Sequence, residues 1–274
     1  MREQVEKIEF VIKEIVNGYF VAEQKLALLT PLLEDEVLIH SWDESAGVRG
    51  AEALVFTLYM AVLSDMRALL FDPDKRTASL EHVVSVFGNQ HSVKLLRETF
   101  TAPEEVTVIG HDDDNSMKNS IEKYVNAEHS KQTGEEFDIL LTKTVEKYST
   151  LKDSELAQRV ISARSKMISH KEIRTVDGER ALYNPTDFGL KWHDAQNIML
   201  EAKEIIFNCN YLIHCGSYDL DGFKKVTQTQ QIVFGLGAKM PNKPMQIDSA
   251  RAVRLHEYSS LVFYHANGHH MHCD

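Results

Sequence analysis

Apolar residues recur three and four positions apart along much of the chain, which is the spacing of one face of an α-helix. The first such run covers residues 5–33 and predicts one long helix. A second run, 51–71, ends shortly before Pro73, because proline disfavours a helical conformation in the residue that precedes it. The pattern continues through residues 79–100, with an interruption expected near Gly88. The first hundred residues therefore predict helices alone.

The middle of the chain predicts further helices with separate starts. Asn115 or Ser116 can cap a short helix through its side-chain oxygen. Thr133 and Glu136 have the spacing of a capping box, which favours the start of a second helix there. We therefore expect two consecutive helices in this region.

A helical pattern resumes over residues 154–170 and fails between 171 and 185. Within that irregular segment Asp177-Gly178 lies between two short apolar pairs, which indicates a small hairpin or an extended loop. Apolar residues then recur at helical spacing from Trp192 until Gly216, a natural stop for a helix. The expected fold class is all-α, with a helical bundle over residues 1–216 and a C-terminal extension over residues 217–274.

Composition narrows the functional classes. With 274 residues, of which 43% are hydrophobic, the chain has enough apolar material to fold without staples. The first residues lack the layout of a signal peptide, and no run of ~18 uninterrupted apolar residues occurs, so neither export nor a membrane span is expected. Three cysteines without CxxC spacing indicate no disulfide framework. We expect a cytoplasmic protein.

The net charge limits how the protein could contact nucleic acid. The formal charge is -11, from 41 acidic and 30 basic residues. Broad coating of nucleic acid requires a basic face, which this balance does not favour. Any RNA contact would therefore have to be local.

Most of the candidate chemistry lies in the predicted helix over residues 154–170. On a wheel of about 100° per residue, His170 falls on the apolar face of this helix, and Arg164 and Lys166 lie on its two flanks. An ideal helix directs Arg164 and His170 roughly 120° apart, so a single helix does not bring them together. Two copies packed about a two-fold axis could do so. The apolar stripe consists of Leu156, Val160, Ala163 and Met167.

Arg164, five intervening residues and His170, with Lys166 second after the arginine, resemble the signature of HEPN domains, in particular the abortive-infection, AbiU-type branch. The layout is similar as well. A long helix opens the chain, the Arg-to-His helix ends in ISHKE, a short irregular insert follows, and an amphipathic helix completes the bundle. Ser165 stands where many catalytic members have a polar amide or an acid.

The resemblance implies a helical bundle that forms a homodimer and cleaves RNA. The RNA substrate would be tRNA or mRNA, and the reaction would need no metal or other cofactor. Arg164 would match the motif arginine, His170 the motif histidine, and Lys166 would be an accessory. A histidine can move protons near neutrality, and an arginine can bind a phosphate through two hydrogen bonds. Such an RNA-cleaving toxin or phage-defence effector could have a neutralising antitoxin as its partner.

Two other functions stay open. One is a non-catalytic HEPN-like interaction or scaffold protein. The other is a helical metal-binding protein, because the C-terminal tail is rich in ligand types that zinc and similar metals favour. His111 beside three aspartates is more typical of an exposed acidic loop than of a metal site. The ligand types in the tail are His265, His269, His270, His272 and Cys273.

Overall fold

The structure is a computed structural model, and it describes six stretches of the chain. They are residues 2–42, 48–102, 115–169, 173–176, 179–183 and 185–216.

The described part of the chain forms an all-α bundle with one small hairpin, as the apolar spacing predicts. A π-helical turn and a short 3-10 helix lie beside the hairpin. The elements in chain order are α1 (Arg2–Glu34), α2 (Glu36–Trp42), α3 (Val48–Phe71), α4 (Leu80–Phe87), α5 (Gln90–Phe100), α6 (Asn115–Asp153), α7 (Glu155–Ala163), the π-helical turn (Arg164–Ser169), β1 (Ile173–Val176), β2 (Glu179–Leu182), the 3-10 helix (Pro185–Phe188) and α8 (Asp194–His214).

The core of the bundle lies where α1 packs against α3 and α8, and where α8 packs against α6. Gly18 permits the close approach of α1 and α3, since a Cβ atom there would lie 2.7 Å from a methyl carbon of Leu69. Edge-on aromatic contacts join α1 and α5 to α8. Tyr19 of α1 contacts Phe207 at 5.7 Å between ring centroids, and Phe100 of α5 contacts Tyr211 at 5.4 Å. Helix α8 is thus packed against α1 and against α5.

The break predicted near Gly88 is present and separates α4 from α5. Asn89 caps α5, and its side-chain oxygen accepts hydrogen bonds from the backbone N–H groups of His91 and Ser92 at 3.0 and 3.2 Å. This bond pattern satisfies amides that otherwise lack partners at a helix start. The interruption prediction is confirmed.

The prediction of two helices in the middle of the chain is wrong, because α6 runs without a break for 39 residues. Thr133 lies inside it and donates its hydroxyl proton to the carbonyl of His129 at 2.8 Å, so it caps nothing. Gly134 also lies within the helix, and its missing side chain leaves room for Arg97. A local capping pattern was outweighed by packing further along, where Phe137 is fully buried.

One described helix, α3, is apolar and long enough to cross a membrane as judged by length and composition alone. Such a single helix is weak evidence, because the core helix of a bundle satisfies the same criterion. The C-terminal half of α3 is buried in the core described above, with Leu63, Met66 and Leu70 at most 1% exposed. The expectation that the chain has no membrane span stays a prediction.

A part-buried ion pair connects α4 to α6. Lys152 donates to the carboxylate of Glu81 at 2.7 Å, and the Tyr148 hydroxyl lies 2.7 Å from the same carboxylate and 2.8 Å from the Leu70 carbonyl. Burial opposes ionisation of Glu81, but the hydrogen bonds from Lys152 and Tyr148 outweigh it and hold the pKa of this carboxyl below its ordinary value. The ionised form therefore stabilises the bundle.

We predict that Glu81→Gln lowers the free energy of unfolding at pH 7 by about 1 kcal/mol, because a charge-assisted contact is lost at a partly exposed site. The folded-state pKa is depressed, so this contribution is present above the unfolded pKa and disappears as the pH falls through the folded value. Urea unfolding of parent and variant over a descending pH series measures the difference.

Glu98→Gln is the matched control, because the carboxylate of Glu98 pairs with Lys94 at 3.8 Å on an exposed helix face. That pair should contribute only ~0.3 kcal/mol. Equal losses for both variants, or a loss for Glu81→Gln that does not shrink at lower pH, would contradict the assignment.

Candidate functional site

The candidate site begins where the helix after Ser154 changes its hydrogen-bond pattern. Ser154 caps α7, and its Oγ accepts from the Ala157 N–H at 3.1 Å. The regular helix ends at Ala163, and Arg164–Ser169 forms a π-helical turn. The predicted α-helix over 154–170 is therefore wrong in its second part. A π-helix bonds i to i+5, so the side chains from Arg164 onward do not follow the 100° wheel.

Arg164 is partly buried at the first position of this turn, and its Nε–H has no hydrogen-bond partner in the described part of the chain. A buried donor without an acceptor is costly, of the order of 1–3 kcal/mol. A buried donor without a partner calls for an explanation, and a role in function is one of the possible ones. Arg164 thus has a buried donor that the described part of the fold leaves unsatisfied.

Two other arginines with an unpartnered buried Nε differ from Arg164 in one respect. The guanidinium of Arg67 lies 2.8 Å from the Asp72 carboxylate, and that of Arg159 lies 3.4 Å from the Asp194 carboxylate. Among the described residues no carboxylate lies within ion-pair distance of Arg164. The charges of the other two arginines are thus paired within the fold, and that of Arg164 is not paired with any described carboxylate.

Lys166, two residues further along the turn, points to the hairpin. Its Nζ lies 5.1 Å from the centre of the Tyr183 ring, and that ring packs on Phe188 at 5.3 Å. A cation over an aromatic face is attracted by about 0.5–1 kcal/mol at a partly exposed site. The aromatic pair therefore holds the ammonium group beside the π-helical turn.

The predicted hairpin is present and explains how Tyr183 reaches Lys166. Strands β1 and β2 pair antiparallel, with Ile173 opposite Leu182 and Val176 opposite Glu179. The two strands flank the Asp177-Gly178 pair, where the sequence indicated a hairpin. The chain returns at Tyr183 to the turn that it left after Ser169.

His170 lies outside the described residues, directly after the π-helical turn. The structure therefore positions Arg164 and Lys166 and leaves the Arg164 to His170 geometry as a prediction. The acidic segment at His111 and the histidines of the tail also lie outside the described residues. Within the described ranges, no group of three His, Cys, Asp or Glu side chains could hold a metal ion.

A buried carboxylate fixes the position of α7 relative to the start of α8. Asp194 is 2% exposed and accepts from the Lys191 N–H at 3.0 Å and from Arg159 at 3.4 Å. Tyr59 of α3 donates to the Lys191 carbonyl at 2.8 Å. Burial, followed by the negative charge of Asp194, raises the pKa of Tyr59 well above its usual range, so this hydroxyl stays a donor. Asp194 thus joins α7 to α8 directly, and Tyr59 joins α3 to the segment just before α8.

Sequence patterns did not reveal Asp194, Tyr59 or Tyr183. Their partners are distant in the sequence, with Tyr59 bonding to a residue 132 positions away. A capping signal was available for Asp194, since an acidic residue in the first turn of a helix complements its dipole. Nothing local indicated that Arg159 would reach it.

We predict that Asp194→Ala lowers the free energy of unfolding by about 2–3 kcal/mol, because the positive charge of Arg159 loses its buried partner. Chemical denaturation monitored by circular dichroism measures the loss. Asp138→Ala is the control, since its pair with Arg97 at 3.1 Å is exposed and should contribute less than ~1 kcal/mol. A loss at Asp194 no larger than at Asp138 would contradict the anchoring role.

Comparison with known proteins adds one match. The family model HEPN_AbiU2, described as AbiU2, matches residues 7–227, a range that includes Arg164, Lys166 and His170 and all of α3 to α8. No curated protein and no solved structure matches the chain. The match covers well over half of the chain and agrees with the resemblance seen around Arg164. The chain belongs to the AbiU2 family of HEPN domains.

Proposed function

We propose that this protein is a metal-independent endoribonuclease that acts in the cytoplasm as a toxin or phage-defence effector, with Arg164 and His170 forming its site across a homodimer interface. Membership of the AbiU2 family supports an abortive-infection effector of the HEPN type. The observation that carries the proposal is Arg164, a partly buried arginine whose Nε–H lacks an acceptor and whose charge has no carboxylate partner among the described residues.

Arg164 would bind the scissile phosphodiester. A guanidinium presents parallel N–H groups that match two phosphate oxygens. Its Nε–H would gain the acceptor that the described part of the fold does not supply. The same positive charge stabilises the extra negative charge that develops on the phosphate oxygens in the transition state.

His170 would move the protons. As a neutral base it accepts the proton of the ribose 2′-hydroxyl, whose oxygen then attacks phosphorus. The bond from phosphorus to the 5′-oxygen breaks, and that oxygen takes up a proton from an imidazolium. The products are a 2′,3′-cyclic phosphate and a 5′-hydroxyl, so atoms and charge balance without a metal or a redox partner.

Lys166 would supply a second positive charge at the edge of the site. Its ammonium group packs over Tyr183, which limits how far it can follow a substrate. We therefore assign Lys166 to electrostatic attraction of the RNA backbone and not to proton transfer. A local group of cations is also the form of RNA contact that a net charge of -11 permits.

The test is incubation of the purified full chain with total tRNA and with mRNA in excess chelator, followed by denaturing gel electrophoresis. The parent should cut RNA, and His170→Ala should reduce the rate by ~10²–10⁴-fold. His129→Ala, at an exposed position of α6, is the matched control and should retain the parental rate. Equal cleavage by parent and His170→Ala, or none by the parent, would favour the interaction-protein alternative.

We predict that Arg164→Ala and Lys166→Gln reduce cleavage to different extents. Loss of the phosphate-binding group should slow the reaction by ~10²–10³-fold. Lys166→Gln should cost less than ~10-fold, because that charge acts at a distance from the reacting atoms. Initial rates under single-turnover conditions measure both. A larger loss at Lys166 than at Arg164 would reverse the two roles.

The dimer proposal predicts that the inactive variants Arg164→Ala and His170→Ala restore cleavage activity when they are combined in one dimer. If each site combines Arg164 of one copy with His170 of the other, a mixed dimer retains one intact site. After the two inactive variants are unfolded together and refolded, an equal mixture should recover roughly a quarter of the parental activity. No recovery, in a mixture shown to contain mixed dimers, would place both residues in one chain.

A further inference from the structure

A cleft of about 270 Å³ lies in the first half of the bundle. It shares no lining residue with the Arg164 site. Its walls come from α1, from the turn between α3 and α4, from α4 and from the start of α5. The volume is slightly below the usual range for small-ligand sites, which begins near 300 Å³. This volume is enough for one compact chemical group with a few atoms attached to it.

Three basic side chains line this cleft: Lys7 of α1, Lys75 of the turn and His82 of α4. None of its lining residues is an aspartate or a glutamate, although the whole chain has 41 acidic residues against 30 basic ones. Within the described residues neither lysine forms an ion pair, and the one hydrogen bond of Lys7 goes to the backbone carbonyl of Lys75 at 3.1 Å. The charges converge without a counter-charge.

The effect of this convergence is visible at His82. Burial, and then the positive charges of Lys7 and Lys75, hold the pKa of His82 below its ordinary value. The neighbouring carboxylate of Glu81 does not offset them, because it binds Lys152 and Tyr148 of α6. Burial and the two nearby cations thus both disfavour the protonated imidazole, and a bound anion would offset the effect of the cations.

Neutral hydrogen-bonding groups complete the lining. Gln4 and Ser85 lie beside the basic residues, and Ser92 contributes from the first turn of α5. Ser92 is 3% exposed, and its hydroxyl makes no hydrogen bond in the part of the chain that is described. A nearly buried hydroxyl that faces a cleft without a partner is a group that a ligand satisfies.

We propose that this cleft binds a phosphate group, either as free inorganic phosphate or as the phosphate of a small sugar phosphate. Lys7, Lys75 and the Ser92 hydroxyl come from three different parts of the fold, as suits an anion with several terminal oxygens. The cleft is too small to enclose a folded polynucleotide segment. The proposal is independent of RNA cleavage, because no residue of the Arg164 site takes part.

The test uses the full chain at low ionic strength, titrated with inorganic phosphate, with ribose 5-phosphate and with ribose, while the imidazole signals are followed by nuclear magnetic resonance. His82→Asn identifies the His82 signal. The two phosphate-bearing probes should shift that signal saturably and raise the pKa of His82, whereas ribose should have no effect. A ribose 5-phosphate affinity above that of phosphate identifies a sugar phosphate, and equal affinities identify free phosphate.

Matched double variants separate this site from general charge attraction. Lys7→Gln with Lys75→Gln should weaken binding at least ~10-fold, since each removes a charged hydrogen-bond donor. Lys13→Gln with Lys94→Gln removes the same charge from exposed positions on α1 and α5 and should change the affinity less than ~2-fold. Ser92→Ala, which deletes a hydroxyl without a partner in the fold, should weaken binding several-fold with the unfolding midpoint unchanged.

Three results would overturn the proposal: no saturable shift at His82 with either phosphate-bearing probe, equal weakening by the two double variants, or a response to ribose alone. RNA cleavage by the Lys7→Gln, Lys75→Gln variant should equal that of the parent. Loss of phosphate binding and loss of nuclease activity are therefore distinguishable.

Discussion

The position of the candidate site depends on the burial of one carboxylate. Asp194 is almost inaccessible to solvent at the start of α8, so its charge must be met by hydrogen bonds and by an opposite charge. Arg159 of α7 supplies the charge, and the Lys191 amide supplies a hydrogen bond. Because Arg159 is only five residues before Arg164, fixing Arg159 on α8 also fixes where the π-helical turn begins. Packing of α8 between α1 and α6 then holds this arrangement in the bundle.

The three cations near the site, Arg159, Arg164 and Lys166, differ in their partners within the fold. Arg159, an arginine outside the motif, is neutralised, whereas Arg164 has no carboxylate partner among the described residues and an Nε–H without an acceptor. Lys166 is held by the ring of Tyr183. The π-helical turn orients Arg164 and Lys166 differently from a regular α-helix, since its i to i+5 bonds change the angular spacing of successive side chains. In the proposed function, an RNA phosphate would satisfy the unpartnered Nε–H donor of Arg164.

Sequence periodicity predicted the long helices, the break before Asn89 and the hairpin at residues 173–182, because each rests on local spacing or on turn residues. It failed at Thr133, where a capping pattern lies inside a helix, and at Arg164, where a regular wheel was assumed. Identification of Arg164 and Lys166 as candidates required only the motif. Their surroundings required contacts with Tyr183 and Phe188, and the anchor required Asp194, which are tertiary contacts that no helical wheel contains.

In the proposed reaction a ribose 2′-hydroxyl is the nucleophile and no metal takes part. The most direct measurement is the chemical form of the new 3′ ends, determined by mass spectrometry of fragments produced in excess chelator from an RNA with one cleavage position. The proposed mechanism predicts 2′,3′-cyclic phosphate ends, and no cleavage when the ribose at that position carries a 2′-O-methyl group. Fragments with 3′-hydroxyl and 5′-phosphate ends, or cleavage of the methylated RNA, would contradict it.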